Sequence, residues 1–166
     1  MSKTILLAGQ PFIPAEKLAS QSITPGMLVE IVPSGGSAGK LRKHATADGN
    51  ARAIFALEFL VPPVPGSTSS DQIDVAYASG DSMRWAIGRP GDQFYALVPA
   101  AAAAIKDGDP LVSNGDGTLK KYAAQATNEG GAASYTIQVE CVVAYEAEDL
   151  DNSGGGTTAR IKVHAK

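Results

Sequence analysis

Turn-forming residues interrupt this chain of 166 residues at short intervals, and their spacing limits what it can fold into. Eighteen glycines and ten prolines separate a series of short apolar runs. Helices of globular proteins average about 10–14 residues, whereas strands of about five or six residues fit between such turns. The sequence therefore predicts a mainly β fold: a compact β-barrel or β-sandwich-like domain with short strands, long loops and at most one short helix.

The runs between the turns are predicted strands because they are short, apolar and rich in β-branched residues. Two of them alternate clearly, so the odd-numbered residues from Tyr135 to Tyr145 and from Ala159 to Ala165 are predicted to face the core. The predicted strands span residues 27–32, 40–45, 51–60, 72–78, 82–87, 93–98, 111–112, 118–122, 135–145 and 159–166.

Local turn chemistry predicts several of the connections. Residues 48–50 (Asp-Gly-Asn) suit a tight hairpin between two of the strands, and residues 114–117 (Asn-Gly-Asp-Gly) predict a second hairpin. Five alanines after Pro99 are predicted to begin a helix, because proline is accepted at the first helical position. Residues 123–133 are predicted to form a loop.

Residues 1–22 differ from the rest and are predicted to form an extended N-terminal arm, followed by a β-rich domain over residues 23–166. The arm shows neither sustained alternation nor a helical stripe. Its large apolar side chains would be exposed if it hung free, so it is predicted to pack either on its own domain or on a neighbouring subunit. The candidate interface residues are Ile5, Leu6, Leu7, Phe12 and Ile13.

Composition and charge argue against several partners. The net charge of −3 supplies no positive field to gather nucleic acid or anionic lipid, so neither is an expected partner. The apolar run at residues 5–9 is too short for a signal peptide, and no later segment approaches a membrane span. Aromatic residues make up only 6% of the chain, which suggests that stability depends partly on oligomerisation.

Four loops resemble ligand-binding motifs but are better explained as turns. Residues 35–40 resemble a phosphate-binding loop, but that motif requires Gly at Ser34 and Ser or Thr at Leu41. Residues 149–154 resemble the start of a calcium loop, yet its twelfth position is Arg160 rather than Glu. The acidic residues around Asp107 and Asp116 suit hard cations, but they are also the usual residues of positive-φ turns.

No set of residues forms a coherent catalytic, cofactor or metal site. Cys141 with His44 or His164 would be a thiolate pair, but the alternating apolar neighbours of the cysteine predict a buried, inert thiol. Glu146 and Glu148 share a strand face, where solvated carboxylates are the common case. The sequence therefore predicts a protein that is not an enzyme and holds no cofactor or metal.

Several stretches of the sequence, spread over roughly residues 23–166, resemble small head proteins of tailed bacteriophages. They are DVAYASGD (74–81), GRPGD (88–92), IKDGDPLV (105–112), NGDGTL (114–119), VVAYEAED (142–149) and ARIKV (159–163). The resemblance implies a capsid decoration, or cement, protein, made in the bacterial cytoplasm and often trimeric. Such a protein sits on the outside of the virion head and clamps neighbouring major capsid protein subunits. The resemblance does not identify any particular residue of this chain as a binding-site residue.

Two other classes remain open from the residues alone. An adhesion or carbohydrate-binding β module would use exposed aromatic side chains, with Trp85, Tyr77 and Tyr95 as the candidates. Alternation in residues 82–87 instead predicts that Trp85 is a core anchor. A small β-barrel enzyme would use carboxylates such as Glu146 or Asp149.

Overall fold

Short antiparallel strands make up the regular structure of this protein, and no helix occurs in the described residues. The computed structural model describes residues 4–59, 72–99, 104–123, 125–129, 133–137, 142–144 and 158–166. The strands are β1 (Leu6–Ala8), β2 (Lys17–Leu18), β3 (Val29–Ile31), β4 (Leu41–Lys43), β5 (Ile54–Ala56), β6 (Ser82–Met83), β7 (Trp85–Ile87), β8 (Gln93–Val98), β9 (Pro110–Ser113), β10 (Leu119–Lys121), β11 (Gln125–Glu129), β12 (Ala133–Ile137), β13 (Val142–Ala144) and β14 (Ala159–Ala165).

A six-stranded antiparallel sheet forms one layer, with the strand order β1-β8-β14-β13-β9-β10. Its longest ladder joins β8 to β14, from Ala159 opposite Val98 to His164 opposite Gln93. The alternation predicted for β14 is confirmed at Ile161 and Val163, whose side chains are buried. The strand nearest the C-terminus therefore lies in the middle of the sheet.

The β5-β7 pair forms a second layer that is buried on both faces. All three residues of β5 are buried. Phe55 packs in the core cluster of the six-stranded sheet, where its ring centroid lies 4.8 Å from that of Phe94. Its neighbours Ile54 and Ala56 belong to a second core cluster on the opposite side. An uninterrupted apolar strand is expected where both faces are covered.

The β3-β4 and β2-β6 pairs cover that second cluster. Leu41, Met83 and Trp85 supply its side chains, each at most 3% exposed. No sheet in the described residues closes on itself, so the predicted mainly β, sandwich-like domain is confirmed and a closed barrel is not.

Some predictions of local structure are confirmed and others are wrong. Residues 114–117 do join a hairpin, β9-β10, and Gly115 and Gly117 both have positive φ. The hairpin predicted at residues 48–50 is wrong, because β4 pairs with β3 and β5 pairs with β7. Asp48, rather than the glycine beside it, has the positive φ of 55°. The residues form a turn, but long-range pairing decides which strands it joins.

Further corrections concern residues beyond position 70. Residues 72–78 do not form a strand, since only Tyr77 makes a bridge, to Ile23. The loop predicted at residues 123–133 contains β11, which pairs with β12. Val142, which does not belong to the odd-numbered set predicted to face the core, is fully buried. Arg160 is an even-numbered residue of the last strand and is therefore predicted to face outward, yet its side chain is only 13% exposed. Its guanidinium lies against Asp74 and the backbone carbonyls of residues 25 and 73.

Four predicted features lie outside the described residues. They are residues 100–103 of the alanine-rich helix predicted at residues 100–104, the candidate thiol Cys141, the carboxylates Glu146 and Glu148, and the calcium-like loop at residues 149–154.

Candidate interaction surface

The described part of the predicted arm packs on its own domain. β1 extends the six-stranded sheet by pairing with β8, and the side chain of Ile5 is 0% exposed within the main core. Leu6 and Leu7 are half-buried. Of the five candidate interface residues, Ile5 is therefore a core residue of the isolated chain, and only Phe12 and Ile13 are exposed, each to about half.

Two carboxylates hold the start of this segment in place. Glu58 accepts hydrogen bonds from the backbone N–H of Ile5 at 3.0 Å and from the Thr4 hydroxyl at 3.2 Å. Asp92, which is buried, accepts from the backbone N–H groups of Gln10 and Arg89, each at 2.8 Å. Because charge-assisted hydrogen bonds are about twice as strong as neutral ones, these contacts fix the path of the chain.

Gly9 makes the Asp92 contact possible. Its φ is +105°, a conformation that residues with a side chain rarely adopt, and a Cβ here would lie 2.1 Å from the Asp92 Oδ1 atom. Only glycine lets the backbone approach this carboxylate so closely.

The next part of the segment runs antiparallel to residues 82–87. Phe12 exchanges two backbone hydrogen bonds with Ile87, at 3.0 and 2.8 Å, and β2 pairs with β6 further along. Between these points the Trp85 indole Nε1 donates to the Ala15 carbonyl oxygen at 3.0 Å. The segment is thus anchored at both ends and in the middle.

Although it is anchored, this segment leaves three large apolar side chains in solvent. Phe12 is 53% exposed, Ile13 45% and Leu18 47%. We call these three residues the exposed apolar segment. Sequence reasoning missed Leu18, because only the pairing of β2 with β6 shows that the neighbouring Ala19 is buried and Leu18 is not.

A groove with a cavity volume of about 420 Å³ lies beside this segment. It is lined by residues 50–53, Ile87, Gly88 and Lys166, and we call it the basic groove. Ile87 is also the cross-strand partner of Phe12. Residues directly opposite each other in a ladder project from the same face, so the side chain of Phe12 neighbours that of the lining residue Ile87. Sequence reasoning did not find it, because its lining comes from separate parts of the chain.

Those loops resembling ligand motifs that the structure describes are turns. Residues 35–40 connect β3 directly to β4, so the helix N-terminus that a phosphate-binding loop requires is absent there. Asp116 Oδ1 accepts from the Thr118 backbone N–H at 2.9 Å and from its hydroxyl at 2.5 Å. The Asp116 carboxylate therefore accepts hydrogen bonds from within its own turn.

Both acidic turns have carboxyl groups with a lowered pKa. Desolvation raises the pKa of Asp116, but hydrogen bonds from Thr118 and Asn114 outweigh it and lower the pKa overall. Desolvation likewise raises the pKa of Asp109, and the Lys121 ammonium together with the Lys106 backbone N–H lowers it overall. Ionised carboxylates therefore stabilise these turns.

A buried His, Ser and Glu arrangement that sequence reasoning missed lies between β3, β4 and β9. His44 Nδ1 is hydrogen-bonded to the Ser113 Oγ atom at 2.8 Å, and His44 Nε2 lies 3.7 Å from the Glu30 carboxylate. The Ser113 hydroxyl is 0% exposed and accepts from the Gly115 N–H at 3.1 Å. Because Ser113 and His44 are buried and bonded to each other, their hydrogen bond links β9 to the residue that follows β4.

The aromatic side chains proposed for glycan binding are mostly in the core. Trp85 is 3% exposed and Tyr77 1%, while Tyr95 is half-buried. The Tyr77 hydroxyl donates to the carbonyl oxygens of Leu57 and Glu58, both at 3.1 Å. Burial raises the pKa of Tyr77 to about 12. The prediction that Trp85 is a core anchor is confirmed.

Within the described part of the chain, no group of three or more His, Cys, Asp or Glu residues is placed to hold a metal ion. The same part contains no helix with the length and apolarity to cross a membrane.

No known protein-family model matches this sequence, and no curated protein is similar enough to it to count as a relative.

Proposed function

We propose that this chain is a capsid decoration protein that binds the outer surface of a tailed-bacteriophage head and stabilises contacts between major capsid protein subunits. The observation that carries the proposal is the exposed apolar segment, Phe12, Ile13 and Leu18, held on a fixed backbone. The resemblance in the turns and strands of residues 23–166 supplies the class of partner.

The energetics suit docking on another protein surface. Fully burying a Phe, Leu or Ile side chain contributes roughly 1.5–3 kcal/mol, so covering three half-exposed ones is a substantial gain. The anchors from Glu58, Asp92 and Trp85 already order this segment in the free protein. Little conformational entropy is therefore lost when it docks.

Stabilisation of the head would follow from linkage. A protein that binds the assembled, expanded shell and not the separated subunits shifts the equilibrium towards the shell. We propose that it acts as a homotrimer, because several linked contacts raise the overall affinity without any new type of contact.

The test is co-sedimentation of the purified protein with expanded heads that lack it, together with native mass spectrometry of the free protein. We expect saturable binding, density on the outer shell by cryo-electron microscopy, and a trimer in solution. Replacing both Phe12 and Leu18 by Ser should weaken binding at least tenfold. Val75→Ser is the matched control, since Val75 is also exposed but lies elsewhere in the fold.

Heads that bind no wild-type protein would refute the capsid proposal. A monomer that still binds heads would refute the trimer alone.

A further inference from the structure

The basic groove places the Arg52 guanidinium close to apolar side chains. Arg52 is exposed, and its guanidinium forms no ion pair with any residue that the structure describes. Lys166 adds a second cationic side chain to the lining, which contains no carboxylate side chain. Phe12, 53% exposed, is the cross-strand neighbour of the lining residue Ile87.

Charge complementarity selects an anionic occupant. The chain as a whole carries a net charge of −3, so this groove is a local positive site on an acidic protein. The planar guanidinium group of an arginine donates two parallel hydrogen bonds to a carboxylate. This pairing fixes the orientation of the bound carboxylate in addition to attracting its charge. The exposed ring of Phe12 beside it favours an apolar side chain next to the acid.

Nucleic acid fits this chemistry less well than protein. Affinity for a phosphate backbone comes from neutralising many phosphates together, and proteins that bind in this way use about 6–10 contacts. The groove offers two cationic side chains. Two cationic side chains are enough to bind the single carboxylate of an acidic residue in a protein segment.

The volume of about 420 Å³ is suited to part of a peptide. Ligand pockets range from about 300 to 1,000 Å³, so this groove lies at the small end. It has room for a few side chains of an extended segment, with the acid in the groove and its apolar neighbour over Phe12.

We propose that the basic groove is the specificity site of the docking surface and receives an acidic residue, adjacent to a large apolar residue, from an extended segment of the partner protein. Arg52 binds the carboxylate, and Phe12 and Ile87 cover the apolar neighbour. This inference rests on the proposed function, because the partner segment is taken to belong to the major capsid protein.

The first test compares charge reversals in binding to expanded heads. Arg52→Glu should weaken binding at least tenfold, while Arg52→Lys, which keeps the charge but loses the planar guanidinium group, should weaken it less. Arg89→Glu is the control, because Arg89 is also exposed and follows the groove residue Gly88 without lining the groove. A binding constant that is unchanged in Arg52→Glu, with wild-type binding intact, would overturn this inference and leave the proposed function standing.

The second test identifies the segment directly. A photoreactive benzoylphenylalanine at position 12 should cross-link to one peptide of the capsid protein that contains Asp or Glu. The same group at the neighbouring position 13, which has no bridge to the groove residue Ile87, should not label that peptide. A cross-linked peptide without an acidic residue would contradict the inference.

Two further outcomes would also overturn it. Failure of the wild-type protein to bind heads would remove both this inference and the proposed function. Binding of duplex DNA that Arg52→Glu abolishes would assign the groove to phosphate instead of carboxylate.

Discussion

Replacing Ile5 by Ala tests whether the N-terminal segment is part of the folding unit. The side chain of Ile5 is 0% exposed in the main core, and its backbone is bonded to both Glu58 and Tyr95. The substitution removes three carbon groups, worth about 0.8 kcal/mol each in transfer free energy. A cavity term adds to this, and buried Ile→Ala changes cost about 2–5 kcal/mol in total.

The assay is urea unfolding at a fixed protein concentration, followed by fluorescence of Trp85. We expect the midpoint to fall while the slope stays unchanged, which indicates a change in stability alone. In thermal unfolding, a chain of this size loses roughly 2–4 °C per kcal/mol, so the melting temperature should fall by about 4–20 °C.

Ile13→Ala is the matched control, because Ile13 lies on the same segment but is 45% exposed. Its effect should stay within about 0.5 kcal/mol. An Ile5→Ala variant that is as stable as Ile13→Ala would refute the assignment of the segment to the core, and so would an unchanged midpoint after removal of residues 1–22.

Three other predictions concern buried or partly buried polar groups. Asp92→Ala should lower the free energy of unfolding by about 1–3 kcal/mol, because it leaves two backbone N–H groups without their acceptor, whereas Asp92→Asn should cost less. The lowered pKa of Asp116 means that its contribution is present above the ordinary carboxyl pKa of about 4 and is lost as pH falls below it. Wild type and Asp116→Asn should therefore differ more in urea midpoint at pH 6 than at pH 2.5, and a constant difference would contradict this. The raised pKa of Tyr77, about 12, means that its contribution is present below pH 10 and is lost as pH rises towards 12. Tyr77→Phe should be less stable at pH 8 and should show a smaller further loss at alkaline pH, and a loss equal to that of wild type would argue against a buried hydroxyl.

Local patterns predicted the fold class because they depend on the neighbouring residues alone. Glycines with positive φ at positions 115 and 117 made the β9-β10 hairpin predictable, and alternation in β14 placed Ile161 and Val163 inside. Where a pattern was compatible with several pairings, the prediction failed. Residues 48–50 form a turn as expected, but the strands on either side of it pair with β3 and β7.

The candidate interaction surface also combines features that the sequence predicts with features that depend on long-range strand pairing. That residues 1–22 carry apolar side chains in need of cover could be seen from the sequence alone. Which of them are covered by the domain depended on the pairing of β1 with β8 and of Phe12 with Ile87, both of which join residues more than 70 positions apart. The basic groove brings residues 50–53, Ile87 and Lys166 together. Sequence periodicity reports which residues share a face of one strand, but only the tertiary structure decides which distant strands lie beside it, because that choice minimises exposed apolar surface over the whole chain.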